Sequence, residues 1–219
     1  MKMRAIVVTL LTLVVFCSPT RASITGAWWW DDGDGALVCG GTNLTLSGDA
    51  TSGTLTMWGT QYWGPGHMVG TIKTTGGSDP RLTLGSSVIN DTNFAWTAYT
   101  VNVYLSSIFT IANSGSLAAY VDNPPNSDWS VTSITEPSLS YQVPSGQFAG
   151  DYEGTLYLSG GTPVAISGEL DFGYTIQFSG ASHYTIGQEV IPVPEPGTFG
   201  LVALSAGMLG ALGLIRRRT

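Results

Sequence analysis

Leu170-Asp171-Phe172-Gly173-Tyr174-Thr175-Ile176-Gln177-Phe178-Ser179 alternates without a break. Leucine, phenylalanine, tyrosine, isoleucine and phenylalanine take one parity; aspartate, glycine, threonine, glutamine and serine take the other. Successive side chains of a strand point to opposite faces, so this stretch predicts a strand with one buried and one wet face. Tyr99, Val101, Val103 and Leu105 repeat the pattern against Thr100, Asn102, Tyr104 and Ser106. Shorter strands are expected at Leu44–Leu46, Thr54–Trp58, Met68–Ile72, Leu82–Ile89, Phe109–Ala112, Val131–Ile134, Leu139–Val143, Thr155–Leu158, Val164–Ile166 and Tyr184–Val190. Turn-forming runs such as Gly76-Gly77-Ser78-Asp79-Pro80 and Asn123-Pro124-Pro125-Asn126 separate them. About a dozen short strands at this spacing predict an all-β body, an antiparallel β-sandwich of jelly-roll-like kind.

The two ends break the pattern. Met1-Lys2-Met3-Arg4 is basic, and Ala5–Cys17 is an apolar run too short to span a bilayer comfortably. Thr20 and Ala22 flank Arg21 ahead of a cut before Ser23, so residues 1–22 are expected to be a secretory signal peptide, helical before removal. A lipoprotein cut at Cys17 is disfavoured by Phe16, where a small residue is wanted. At the other end, Gly197–Ile215 carries no charge and closes on Arg216-Arg217-Arg218. As a helix at about 1.5 Å per residue, this run would reach roughly 28 Å, close to the thickness of a hydrocarbon core. A transmembrane helix is expected at 197–215, with residues 216–219 as a basic cytoplasmic tail and Glu195 outside. Residues 23–190 form the expected sandwich domain, and 191–196 a tether held extended by Pro192, Pro194 and Pro196.

Pro194-Glu195-Pro196, a short apolar span and Arg216–Arg218, in that order, resemble the PEP-CTERM sorting domain. The resemblance covers the last eighth of the chain and implies sorting rather than an activity of the body. It implies processing by an exosortase, a membrane transpeptidase-like enzyme, near the motif. It also implies an inner-membrane intermediate, release to the cell surface or exterior, and company with exopolysaccharide in Gram-negative-type bacteria. Signal peptidase and exosortase are then the expected processing partners, and polysaccharide an expected contact.

Charge narrows the body further. Between Ser23 and Pro196 the only basic residues are Lys73 and Arg81, against all 15 acidic residues of the chain, a formal charge of −13. That opposes nucleic-acid binding, which draws on lysine and arginine. With Cys17 in the signal peptide, Cys39 stands alone in the mature body and has no intramolecular disulfide partner.

Catalytic chemistry is hard to assemble, and no catalytic residue is expected. His67 and His183 are the only histidines, and neither has another at metal-ligand spacing. Gly180-Ala181-Ser182-His183-Tyr184 ends in tyrosine where a nucleophile elbow needs glycine. Asp151 with Glu153, and Glu169 with Asp171, place side-by-side carboxylates on one strand face, whereas a glycosidase needs them across a cleft. The best metal candidate is Asp31-Asp32-Gly33-Asp34-Gly35, a candidate calcium loop through Asp31, Asp32 and Asp34. It lacks the twelve-residue loop pattern of the helix-loop-helix sites, and its plainer reading is an acidic surface turn. Trp58, Tyr62 and Trp63 belong to a glycine-rich segment that either stacks on sugar rings or plugs the end of the core. The leading expectation is an exported, non-catalytic protein of the cell surface or extracellular matrix. A calcium-assisted, lectin-like glycan-binding module is the alternative, and a glycan-active enzyme comes third.

Overall fold

A computed structural model of the chain describes residues 22–77, 80–112, 119–121 and 129–195. The expected signal helix, the span at 197–215, Pro196 and Arg216–Arg218 fall outside those residues. No helix occurs among the described residues. Twelve strands do: β1 Ile24–Asp31, β2 Leu37–Leu46, β3 Ser52–Gln61, β4 Gly66–Thr74, β5 Arg81–Asn90, β6 Trp96–Leu105, β7 Phe109–Ala112, β8 Ala119–Val121, β9 Ser130–Thr135, β10 Tyr152–Val164, β11 Glu169–Phe178 and β12 His183–Pro194. One sheet has the order β1-β4-β12-β6-β10-β9. The other runs β2-β3-β5-β11-β7, with β8 pairing further along β11.

The alternating stretches bury the parity expected of them. Leu170, Phe172, Tyr174, Ile176 and Phe178 of β11 join Tyr99, Val101, Val103 and Leu105 of β6 in one core. Each large apolar side chain fully removed from water contributes about 1.5–3 kcal/mol. Rings from opposite sheets meet there: Tyr99 and Phe172 have centroids 5.6 Å apart, Phe178 and Tyr184 4.8 Å. Buried hydroxyls find partners, as burial demands. Tyr174 Oη donates to Gln188 Oε1 at 2.6 Å, and Tyr99 Oη donates to Gln61 Oε1. The body is therefore two sheets sharing one core, the arrangement of a β-sandwich.

Several expectations need correction. The sandwich is not wholly antiparallel: β3 and β5 run parallel from Ser52↔Arg81 to Gln61↔Asn90. The chain crosses to the other sheet as β4 between them, which allows two strands of one sheet to share a direction. Leu139–Val143 forms no strand. Tyr141 N–H donates to Ser138 O, while Val143 N–H reaches back to Asp151 O, so the segment closes on itself as a loop. Thr155–Leu158 and Val164 belong to the single strand β10, whose pairing with β6 shifts register between Ser159 and Val164. β1 was not expected at all, because Trp28-Trp29-Trp30 hides the alternation: Trp29 is buried, Trp28 and Trp30 exposed.

The tether is also different. Ile191–Pro194 continues β12 and pairs with β6 as far as Pro194↔Trp96. Prolines are tolerated because of parity. Thr185 directs its backbone to β6, accepting from Ser106 N–H, whereas Ser182 directs its carbonyl to Thr74 of β4. Even-numbered positions of β12 therefore face away from β6. The N–H groups that Pro192 and Pro194 lack would have pointed off this end of the ladder, not into it.

Candidate functional site

The outer face of the first sheet carries a groove of about 540 Å³. Trp28 and Trp30 of β1 form one wall. Gln147, Phe148, Ala149 and Asp151, from the loop between β9 and β10, form the other. Val69 and Thr71 of β4 and His183, Thr185 and Ile186 of β12 line the floor. Trp28 and Trp30, two apart on one strand, are about 7 Å apart along the wall. Trp28 is held in place by Lys73, whose Nζ lies 5.0 Å from the ring centroid. His183 Nε2 and Thr71 Oγ1 hydrogen-bond at 2.9 Å across the floor.

The opposite wall is set by one glycine. Phe148 lies directly on Gly187 of β12: a Cβ there would stand 2.2 Å from the ring's Cε1. Seated that way, Phe148 stacks on Tyr104 of β6, with centroids 4.2 Å apart and planes 13° from parallel. Beside it, burial pushes the Asp151 carboxyl up to about 6. Asp151 is the one carboxyl among the described residues that line the groove.

A polar network runs beside this groove. His67 Nδ1 lies 3.2 Å from Asp34 Oδ2 and 3.5 Å from Asp32 Oδ2, and His67 Nε2 lies 3.2 Å from Glu189 Oε1. Glu189 also accepts from Asn102 Nδ2 at 2.7 Å and Tyr104 Oη at 3.1 Å. Desolvation, then the charges of Glu189 and Glu153, raise the Tyr104 hydroxyl well above its usual value. Burial pulls the Asp34 carboxyl up, but the Ala36 N–H, His67 and Asp32 outweigh it, leaving Asp34 below the usual carboxylate range.

The candidate calcium loop is thus only partly assembled as expected. Asp31 is occupied by its own turn, accepting from Gly33 N–H at 3.1 Å and Cys39 N–H at 3.4 Å. Asp32 and Asp34 converge instead with His67, one ligand atom from each lying within 4.8 Å of the others. Calcium takes 6–8 oxygens, so two carboxylates and an imidazole suit a nitrogen-accepting divalent ion better.

Trp58, Tyr62 and Trp63 all face solvent, at 61%, 41% and 56% exposure. None of them plugs the core. They do not form one platform either: Trp58 lies over Gly40 and Gly41 of β2, while Trp63 lies over Gly35. Tyr62 and Trp63 stand together, their centroids 6.4 Å apart. Pro194 and Glu195 of the sorting motif end the described body, Pro194 as the last residue of β12.

The body is a β-sandwich whose final strand runs directly into a proline-bearing, membrane-directed tail. That tail matches the family model described as the PEP-CTERM protein-sorting motif, over residues 192–218. The chain carries this motif, which marks it as an exported protein that an exosortase processes. The match begins inside β12, at Pro192, and leaves the rest of the sandwich outside it. Searches of curated proteins and of solved structures returned no match.

Proposed function

We propose that the sandwich is a non-catalytic, glycan-binding surface or matrix module, sent out through an inner-membrane sorting intermediate. The groove between Trp28, Trp30 and Phe148 carries this reading. Its volume lies within the range of about 300–1,000 Å³ typical of small-molecule sites. Flat indole faces beside Thr71, Thr185, His183 and Gln147 offer stacking and hydrogen bonding together, which is what a pyranose ring needs. The single carboxyl favours binding over hydrolysis. The body's charge of −13 favours a neutral polysaccharide over a polyanion.

The test is a panel of neutral and acidic polysaccharides offered to the exported protein and to a Trp28→Ala/Trp30→Ala variant. Neutral chains should be retained by the parent and released by the variant. Equal retention by both proteins would remove the groove from the reading. Trp58→Ala should keep binding, since that ring lies on the other sheet.

A further inference from the structure

We propose that the end of the sandwich from which the tail leaves docks on the lipid headgroup layer through Tyr62, Trp63 and Ile166, before the tail is processed. This rests on residues 197–215 being the span of the sorting intermediate, and it is independent of the groove. β12 ends close to that span. Pro194 is its last residue, and only Glu195 and Pro196 separate it from the apolar run that starts at Gly197. Three residue steps reach at most about 10 Å. The headgroup layer on each side of a bilayer is about 5–7 Å deep. A body tied this closely has its exit end at the membrane surface.

The loop Tyr62–Pro65 belongs to that end. A Cβ on Gly64 would meet Pro192 Cδ at 2.6 Å, so the loop lies directly on the final residues of β12. The same end is tied together by Asn90, whose Nδ2 donates to Phe94 O, Val164 O and Ala165 O. Asp91 N–H donates to Gln61 O, and Trp96 pairs with both Val164 and Pro194. Ile166 sits in the turn just beyond, 54% exposed. Tyr62, Trp63 and Ile166 therefore present apolar surface to solvent beside the point of exit. Tryptophan and tyrosine favour the bilayer interface, where one part of the ring meets hydrocarbon and the polar tip meets water. The charge of −13 makes a zwitterionic surface the favoured partner and an anionic one the poorer.

The experiment uses the full chain reconstituted into phosphatidylcholine vesicles whose acyl chains are brominated near the headgroup. Flotation reports the span, and quenching of tryptophan fluorescence reports the loop. Wild type should float and be quenched. Trp63→Phe should float equally and lose most of the quenching, while Trp58→Phe should keep it. Adding phosphatidylglycerol should weaken the quenching. Undiminished quenching in Trp63→Phe, or an equal loss in Trp58→Phe, overturns the proposal while the span stands. A chain that does not float removes the span, and the proposal falls with it.

Discussion

Replacing Gly187 by alanine tests the wall of the groove directly. The new Cβ would stand 2.2, 2.6 and 2.8 Å from Cε1, Cδ1 and Cζ of Phe148. Ordinary carbon contacts lie at about 3.5–4.0 Å, so the ring must retreat by more than about 1 Å. That retreat pulls Phe148 off Tyr104, on which it stacks at 4.2 Å. An aromatic pair contributes about 0.5–1.5 kcal/mol beyond its area, and overpacking costs about 1–3 kcal/mol. Against this, alanine is better than glycine in a strand by about 0.5–1 kcal/mol. The expected net loss is about 2 kcal/mol, within a range of about 0.5–4, a drop of several degrees in melting temperature for a body of this size. Urea melts of Gly187→Ala, Phe148→Ala, the double variant and wild type form a cycle. With Phe148 gone, Gly187→Ala should become neutral or stabilising. If it costs the same in both backgrounds, the ring is not what Gly187 accommodates, and the account of the wall is wrong. Polysaccharide retention should fall in Gly187→Ala along with stability.

Trp63→Ala should change stability by less than about 0.5 kcal/mol in a denaturant melt, because the ring is largely exposed; a loss of about 3–5 kcal/mol would return it to the core. Asp151 binds its proton more tightly folded than unfolded, so its ionisation opposes folding: stability should fall as pH rises from about 4 through about 6, and Asp151→Asn should flatten that part of the pH–stability curve. Added calcium should leave the melting temperature unchanged, since Asp31 is engaged in its own turn and Asp32 and Asp34 face an imidazole. His67→Ala should cost about 1 kcal/mol, by unlinking the Asp31–Gly35 turn from Glu189.

The fold was legible where one parity is apolar and the other polar, as in β11 and β6. It was not legible where both parities are bulky, because Trp28-Trp29-Trp30 reads the same on either face. Leu139, Tyr141 and Val143 show the converse failure: they alternate correctly, but their backbone bonds locally instead of to a sheet. The direction of β3 against β5 depends on β4 crossing to the other sheet, which no local pattern encodes. At the site, the three aromatics at 58, 62 and 63 left two readings open until burial separated them. Nothing in the local sequence marks Trp28 and Trp30 as a binding wall rather than as part of a bulky run. The partner they needed, Phe148, is more than a hundred residues away, and its seat at Gly187 is visible only as space for a missing side chain. His67 has no histidine neighbour in sequence, so no metal-ligand spacing marks it. Its partners Asp34 and Glu189 lie 33 and 122 residues away.

The position of β12 bears on how the chain comes to be folded at all. It is the last strand made, yet it lies between β4 and β6 in the middle of its sheet. Until it arrives, β1-β4 and β6-β10-β9 are two fragments with facing open edges, the kind of surface on which chains pair wrongly. A chain threaded outward from its N-terminus cannot close this sheet until almost the whole body has crossed. On the proposed reading of the uncharged run at 197–215 as a span, completion of the sheet and arrest in the bilayer would fall at nearly the same moment, which would shorten the time the facing edges stand bare.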